Sequence, residues 1–279
     1  KITGIVERLT TEYDVNGVYI DQVGAAAPTI CLDPSHGHPL GGGDWWVAGY
    51  RRWLLALRAE LKQRAPEKFL TTESNAEPYI DCFDAYLMCN STRSNLVPLF
   101  STIYNDYILT FGRYFNDPHD RPVFATQWGQ LFSFGSQLGW FSGAVANDDL
   151  KDMLELVSSS SKCREAAWRW MAVGEKLRDP EFEGIPKATA SAEWTIWGAK
   201  YPVEFDSVMG SAWRSPEGTL GYAFINITSD EARLQVPVPE EITTPRLWQT
   251  GEWRPAEVTG GALVVTMPAY TSCFIAFGE

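Results

Sequence analysis

The first part of the chain alternates helical and strand patterns of apolar residues. Apolar positions recur every three or four residues between residues 2 and 13, which predicts an amphipathic helix. A turn over residues 14 to 17 separates it from the β-branched and aromatic run at residues 18 to 20, which predicts a short buried strand. This strand ends at a carboxylate, Asp21.

A second helix is predicted after a long, Gly-rich loop at residues 25 to 44. Asp44 is placed to cap this helix, and the apolar residues that follow it form one face. The opposite face is rich in Arg and Lys, a pattern typical of a solvated helix surface. The next apolar run, at residues 68 to 72, predicts a strand that also ends at a carboxylate, Glu73.

The rest of the first half continues the alternation. Further strands are predicted at residues 85 to 89, 122 to 125 and 137 to 141, and residues 98 to 104 are predicted as a strand or an extended stretch. A helix is predicted through residue 111, a Gly- and aromatic-rich loop between the last two strands, and a long helix over residues 148 to 178. Because short apolar strands alternate with helices, this half is predicted to be α/β with a parallel sheet.

From about residue 189 the pattern changes to short strands separated by Gly, Pro and Asp. This punctuation is typical of an antiparallel β-sandwich. A Pro- and Gly-containing linker at residues 184 to 187 predicts the boundary. One domain would then span residues 1 to 184, and an all-β domain residues 188 to 279.

Composition excludes several classes of function. The net charge of −12 disfavours nucleic acid and anionic membranes as partners, and no stretch is long and apolar enough to span a bilayer. Five scattered cysteines show no metal-type spacing and indicate no disulfide framework, although a single unassigned bridge stays open. We therefore expect no metal and no cofactor. Twelve tryptophans are many for 279 residues, and their flat rings suit stacking against sugars.

The two strand-end carboxylates are the leading candidates for chemistry. In a (β/α) barrel, side chains at the carboxyl ends of the strands face one pocket, so Asp21 and Glu73 would share it. Two carboxylates are the minimum set for cleaving a glycosidic bond, one as nucleophile or base and one as acid. Glu77 is a rival acid if the second strand ends later. The structural alternative is that each carboxylate caps a turn or pairs with an Arg.

The long loop carries two more candidates, His36 and His38. They are able to bind a metal together with Asp33, but an isolated HxH pattern is weak support for a metal site. Hydrogen bonding to sugar hydroxyls, or orienting of Asp21, is preferred, and a purely structural loop role is equally open. The remaining candidates for substrate contacts are aromatic: Trp45, Trp46, Tyr104, Trp128 and Trp140.

Three segments together carry a family resemblance: Tyr19-Ile20-Asp21-Gln22, Asp33-Pro34-Ser35-His36-Gly37-His38, and Thr71-Thr72-Glu73-Ser74-Asn75-Ala76-Glu77. They resemble bacterial glycoside-hydrolase-like proteins that carry a domain of unknown function with a barrel fold. More distantly, the layout is similar to endo-α-N-acetylgalactosaminidases and to retaining α-galactosidases.

The resemblance implies roles for the two carboxylates. In the endo-α-N-acetylgalactosaminidases it implies an Asp nucleophile that ends strand four, matched by Asp21, and a Glu acid/base that ends strand five, matched by Glu73. In the α-galactosidases the acid lies on strand six, where this chain has Cys89 and Asn90, and that departure favours Glu73.

Residues 18 to 20 would then be strand four, and the first domain would be the C-terminal part of a (β/α)8 TIM barrel. We expect another polypeptide segment to complete that barrel.

The sequence therefore predicts a retaining glycosidase that acts on an α-linked sugar. The alternative from another class is a non-catalytic carbohydrate-binding protein on a degenerate or incomplete barrel. A third, weaker hypothesis is a metal-dependent hydrolase that uses Asp33, His36 and His38. Localisation stays open, with an extracytoplasmic site favoured.

Overall fold

The computed structural model describes residues 1–89, 93–113, 115–185, 189–239 and 244–278. By its internal contacts the chain divides into two compact units, an N-terminal unit (Lys1–Cys89) and a C-terminal unit (Asn90–Glu279). This division falls elsewhere than the boundary predicted at residues 184 to 187, part of which lies outside the described residues. The domain boundary therefore stays a prediction.

The N-terminal unit is built on three parallel strands in the order β1-β2-β3. Val18 on β1 lies opposite Leu70 on β2, and Thr72 on β2 lies opposite Tyr86 on β3. The predicted strands are confirmed, with bounds that differ by one or two residues. The elements are α1 (Ile2–Thr11), β1 (Gly17–Ile20), α2 (Trp45–Arg64), β2 (Phe69–Glu73) and β3 (Ala85–Leu87), with 3-10 turns at Pro34–His36 and Glu77–Tyr79.

The apolar face of α2 supplies much of the core of this unit. Leu54, Leu57 and Leu61 recur at helical spacing and are at most 1% exposed. Burying each such side chain stabilises the fold by about 1.5–3 kcal/mol. Leu70 on β2 and Tyr86 on β3 are fully buried as well. Apolar burial therefore fixes the strands whose ends carry the candidate acids.

The face of α1 is only partly covered. Val6 is 1% exposed and Thr10 is buried, but Ile2 and Ile5 stay 49% and 45% exposed. Tyr13 lies beyond the end of the helix. The predicted amphipathic helix is confirmed, and the first part of its apolar face is exposed.

The basic face of α2 is paired with acidic side chains, not simply solvated as predicted. The salt bridges are Arg51 with Asp81, Arg58 and Lys62 with Asp84, and Arg64 with Glu7. Partly exposed pairs of this kind contribute about 0–1 kcal/mol each. Their main effect is positional, because three of them anchor the segment that leads into β3.

The C-terminal unit begins with helices and short strands. Several predictions fail here. Residues 98 to 104 and 122 to 125 form helix and not strand, residues 109 to 111 form strand and not helix, and residues 137 to 141 form only a single bridge through Gln137. The elements are α3 (Leu99–Tyr104), β4 (Leu109–Phe111), α4 (Arg121–Ser133), α5 (Lys151–Ala166), α6 (Trp168–Met171) and β5 (Glu175–Lys176).

The physical reason for these errors is clearest at α4. Ten consecutive residues of this helix, Val123 to Phe132, are buried, so no polar face marks it as a helix. An apolar run without periodicity does not distinguish a buried helix from a buried strand. The long helix predicted over residues 148 to 178 is divided at Ala167 into α5 and α6, and β5 replaces its last part.

The predicted antiparallel strands are confirmed. They form a six-stranded sheet, β13-β12-β16-β10-β9-β5, a four-stranded sheet, β14-β15-β11-β6, and the hairpin β7-β8. Their bounds are β6 (Glu183–Ile185), β7 (Thr189–Ile196), β8 (Ala199–Asp206), β9 (Val208–Arg214), β10 (Leu220–Asn226), β11 (Ala232–Pro237), β12 (Arg246–Gln249), β13 (Glu252–Pro255), β14 (Val258–Thr259), β15 (Ala262–Met267) and β16 (Ser272–Phe277).

The six-stranded sheet is covered on both faces. Phe224 and Ile275 pack with residues of the four-stranded sheet, whereas Ile225 and Phe274 pack with α4 and α5. Every residue of β16 is therefore buried. None of the helices in the described part of the chain is long and apolar enough to cross a membrane.

Candidate active site

Asp21 and Glu73 lie at the carboxyl ends of two neighbouring parallel strands. The register of β1 against β2 ends with Ile20 opposite Thr72. Continued by one residue, it places Asp21 level with Glu73 at the ends of neighbouring strands. Asp21 is exposed, and Glu73 is half-buried as the last residue of β2. The sequence prediction that two strands deliver two acids to one sheet edge is thus reproduced.

Each carboxylate is followed by a residue in left-handed backbone conformation. Gln22 has φ 66° and Ser74 has φ 61°. Residues other than glycine adopt this region at a cost of about 1–2 kcal/mol. The same strained reversal therefore ends both strands directly after the acid. Strained backbone conformations of this kind persist only where the surrounding structure holds them in place, and they are frequent at functional sites.

Tyr19 lies beside both acids. It precedes Asp21 by two residues, and its phenol lies close enough to the Glu73 and Asp21 carboxylates for both charges to act on it. Burial raises the pKa of the Tyr19 phenol far above its usual value, and the charges of Glu73 and Asp21 raise it further. The phenol therefore stays a protonated donor throughout the neutral and mildly alkaline range.

Both carboxylate oxygens of Glu73 have donors. The Gln22 side-chain amide donates to Oε2 at 2.8 Å, and the Cys89 thiol lies 3.6 Å from Oε1. Burial, and then the charge of Glu73, raises the pKa of that thiol, which keeps Cys89 a neutral donor. Asn90, which was considered alongside Cys89, lies outside the described residues.

Three of these neighbours were not identified from the sequence. Tyr19 and Cys89 could have been found from the alternation of side chains along a strand. Tyr19 lies two residues before Asp21, and Cys89 lies two residues after Leu87, which is opposite Glu73. Gln22 had no such signal, since its side chain reaches Glu73 only through the left-handed turn.

Gly24 allows the chain after β1 to pass close to the end of β2. A Cβ at this position would lie 2.5 Å from the Glu73 carbonyl oxygen and 2.6 Å from that of Ser74. Neither backbone oxygen is able to yield as a flexible side chain would. The absence of a side chain at residue 24 is therefore a packing requirement of the site.

The long loop after Gly24 is pinched at a neck formed by Cys31 and Gly41. Their backbones pair as an antiparallel bridge, and the Gly41 N–H donates to the Cys31 carbonyl at 2.7 Å. His36 and His38 lie within this closed segment, and the Cys31 thiol is 3.2 Å from Nδ1 of His36. The loop therefore gathers its two predicted histidines with a cysteine that the sequence did not link to them.

A row of aromatic rings follows along the start of α2. Trp45 contacts Trp46, which in turn contacts Tyr50, at centroid distances of 5.7 and 5.5 Å. These rings, together with Gly49 and Trp53, line a shallow depression of about 350 Å³. We call this surface the aromatic shelf. It presents apolar faces in the manner expected for stacking against sugar rings.

The other predicted substrate-binding residues are dispersed. Glu77 is exposed on the turn after β2. Tyr104, Trp128 and Trp140 belong to the C-terminal unit, whereas both acids belong to the N-terminal unit. Trp140 is 51% exposed. Trp128 is fully buried, so its prediction as a stacking surface is wrong.

The indole of Trp128 serves the core instead. Its N–H donates to the Ser160 hydroxyl at 2.6 Å, and its ring packs on Phe124 and Phe141.

A separate cavity of about 420 Å³ lies in the C-terminal unit. Its lining includes Lys176 and Asp179, whose charges already pair at 2.6 Å, together with Glu204 and Asp206. This cavity is larger than the aromatic shelf, but it lacks the paired strand-end acids. The candidate active site is therefore assigned to the N-terminal unit.

The chain is similar to several known proteins. Residues 1–115 match the family model described as "Domain of unknown function (DUF6259)". The chain is 30% identical over 252 residues to a Bacteroides thetaiotaomicron protein named "Putative glycoside hydrolase", and the match covers 88% of the chain and 36% of that relative. A "Putative glycoside hydrolase 22789" of Monosiga brevicollis is 30% identical over 236 residues, covering 75% of the chain and 19% of the relative.

Solved structures add a likeness of fold. A noncanonic maltogenic alpha-amylase of Thermotoga neapolitana aligns with a TM-score of 0.55 at 11% identity, covering 100% of this chain and 65% of that one. An alpha-amylase of Geobacillus thermoleovorans aligns with a TM-score of 0.53 at 11% identity, covering 99% and 63%. At this identity the likeness concerns the fold.

These comparisons confirm the resemblance to glycoside-hydrolase-like proteins that carry a domain of unknown function. They confirm the fold class in its coarser form, a parallel sheet with helices followed by antiparallel sheets. The chain spans about a third of the first relative and a fifth of the second. The activity of the whole protein is therefore a matter for proposal.

Proposed function

We propose that the protein is a retaining glycoside hydrolase that acts on an α-linked sugar, with Asp21 as nucleophile and Glu73 as general acid/base. The observation that carries the proposal is the continued register of β1 and β2, which puts the two acids side by side at strand ends. Two adjacent carboxylates are the chemical equipment of glycoside cleavage. The relatives' names and the resemblance to enzymes that cleave α-linked sugars support the reaction class and the linkage.

The division of labour follows from the surroundings of each acid. Asp21 is exposed and lies near the Tyr19 phenol, which leaves its carboxylate accessible for attack on an anomeric carbon. Glu73 is half-buried between the Gln22 amide and the Cys89 thiol. In the proposed reaction Glu73 protonates the leaving oxygen and then activates the water that releases the sugar.

The aromatic shelf is the proposed place for substrate stacking, because Trp45, Trp46, Tyr50 and Trp53 offer a continuous apolar surface. His36 and His38 are proposed to lie at the border of the same substrate region, since His38 stacks on Trp45 at 4.4 Å.

The experiment is an activity assay of the protein and its variants on a panel of α-linked aryl glycosides and oligosaccharides. Asp21→Asn and Glu73→Gln should each lower kcat about a hundredfold to ten-thousandfold. Glu77→Gln, which removes the rival acid, is the matched control and should leave kcat unchanged. Full activity in either of the first two variants overturns the assignment.

Stereochemistry tests the mechanism separately. Proton NMR of the first product should show the anomer of the substrate. A 2-fluoro glycoside should leave a covalent label on the peptide that contains Asp21. A crystal structure should place the two carboxylates about 5–5.5 Å apart, whereas about 6.5–9.5 Å would indicate inversion.

The aromatic shelf also supports the second candidate function, non-catalytic carbohydrate binding. Calorimetry distinguishes the two functions. Saturable binding of a glycan that Trp46→Ala abolishes, with no hydrolysis across the panel, would favour the binding protein over the enzyme.

A further inference from the structure

The segment from Cys31 to Gly41 brings three metal-ligating side chains to one point. The thiol of Cys31 and one ring nitrogen each of His36 and His38 all lie within 4.8 Å of one another. The bridge between Cys31 and Gly41 closes the segment, and Asp33 caps the intervening turn by accepting from the Ser35 N–H at 2.8 Å. The backbone therefore holds the three donors together without help from distant residues.

We propose that Cys31, His36 and His38 form a binding site for a divalent transition-metal ion, best suited to zinc. A thiolate with two imidazoles is a ligand set that zinc accepts readily. Zinc-to-ligand distances of about 2.0–2.3 Å in a tetrahedron require the ligand atoms to lie about 3.3–3.8 Å apart. Sγ of Cys31 and Nδ1 of His36 are already 3.2 Å apart.

The second ring nitrogen of each histidine supports the same assignment. Nδ1 of His38 lies 2.8 Å from the Pro39 carbonyl oxygen. A carbonyl only accepts, so this nitrogen carries the proton and Nε2 keeps its lone pair for a metal. Nε2 of His36 lies 3.4 Å from a carboxylate oxygen of Asp33. An imidazole whose other nitrogen is held by an oxygen is the usual arrangement around bound metals.

Asp33 thus takes a different place from the one that the sequence pattern suggested. It was grouped with the histidines as a third ligand, but Cys31 provides the third donor, and Asp33 orients His36 from outside. Three protein donors leave a fourth coordination position open for water. Half of the His36 side chain is exposed, which gives an ion access.

Metal binding at this site would order the long loop. Most of the loop is exposed and has little apolar burial to order it, so a metal that cross-links its two arms would supply ordering free energy. The order would extend to α2, because His38 stacks on Trp45 and the Trp45 indole donates to the Gly41 carbonyl at 3.2 Å. The ion would thereby fix the first ring of the aromatic shelf. This inference is independent of the proposed glycosidase activity.

The test is metal binding by the whole chain after treatment with a chelator. Titration with Zn²⁺ should give one equivalent bound, and Co²⁺ should produce a thiolate-to-metal charge-transfer band. Cys31→Ser should abolish that band. His36→Ala and His38→Ala should each weaken binding at least tenfold, and Asp33→Ala should weaken it about 10–100-fold through the lost orientation of His36.

His119→Ala is the matched control, because it removes the histidine that lies outside this cluster and pairs with Asp117. It should leave the affinity and the cobalt spectrum unchanged. Zinc should also raise the thermal midpoint of the protein and of His119→Ala, but not that of Cys31→Ser or His36→Ala. Circular dichroism of each variant checks that the fold is retained.

Two results would overturn the proposal: no saturable binding of either ion, or binding that survives Cys31→Ser and is lost in His119→Ala. The first would leave the contact between Cys31 and His36 a plain hydrogen bond. The second would place the ion elsewhere.

Discussion

The side-chain amide of Gln22 donates to Glu73 across 51 residues of sequence, with 2.8 Å between Nε2 and Oε2. Replacing Gln22 by Leu keeps the size of the side chain and removes the donor. A hydrogen bond to a charged group contributes about 1.5–3 kcal/mol. We therefore expect kcat/KM on a cleaved substrate to fall about tenfold to a hundredfold.

Gln22→Asn is the control for backbone strain. Asn tolerates the left-handed conformation, but its amide is one methylene too short to reach Glu73. An equal loss of activity in both variants assigns the effect to the hydrogen bond. Unchanged kcat/KM in both would show that Gln22 does not position the acid.

Tyr19→Phe should lower activity about tenfold, because it removes the hydroxyl group that lies close to the two acids and keeps the ring. Ultraviolet titration provides a second readout. The raised pKa means that the Tyr19 phenol ionises far above its usual value of 10, so the variant should lose one late-titrating tyrosine. The stability that this group contributes in the protonated state is lost as the pH rises above the unfolded value. If the variant keeps the same number of late-titrating tyrosines, the raised pKa does not belong to Tyr19.

Gly24→Ala should destabilise the fold by about 1–3 kcal/mol, since the new methyl group would overlap two backbone oxygens. Gly42→Ala, in the same long loop, is the matched control, because a Cβ there meets no atom within 4 Å. Thermal unfolding of the two variants should separate them by several degrees. Equal midpoints would show that the chain moves away from β2 without cost.

Asp14→Asn tests a pH-dependent ion pair between Asp14, which precedes β1, and Lys68, which precedes β2. Lys68 is 4% exposed, and its ammonium lies 2.6 Å from the Asp14 carboxylate. The hydrogen bond and the charge of Lys68 lower the pKa of Asp14. A lowered folded-state pKa contributes stability that is present above the unfolded value of about 3.9 and is lost as the pH falls through the folded value.

The Asn variant should therefore be less stable than the protein at neutral pH, and the difference should shrink between about pH 4 and the lowered pKa. Asn also accepts the left-handed backbone of residue 14, where φ is 51°. Thermal midpoints measured across this pH range check the expectation, and a gap that does not change with pH would contradict it.

The sequence was informative wherever polar residues mark the two sides of an element. Residues 18 to 20 and 68 to 72 were identified as strands, each ending at its carboxylate, because turn residues and a change of polarity delimit them. The α4 helix was mistaken for strand and loop because packing on every side removes its polar face.

The residues of the candidate site were also only partly predictable from the sequence. Asp21 and Glu73 follow from strand ends, which are local features of sequence. The meeting of Cys31 with His36 and His38 depends on the bridge between Cys31 and Gly41 and on the left-handed Gly37, so spacing alone did not indicate it. Trp128 shows the opposite limit, because composition does not tell a buried indole from an exposed one.

Gly24 lies at the boundary between two parts of the chain that are held in place by different contacts. Residues up to Gly24 are held by strand register and by close backbone contact with the end of β2. Residues 25 to 44 are mostly exposed, and a backbone bridge between Cys31 and Gly41 closes part of this loop. A library that randomises exposed positions of this loop, outside Cys31, His36, His38 and Gly41, would change the surroundings of a substrate and leave the spacing of the acids intact. The loop is therefore the natural place to engineer new selectivity.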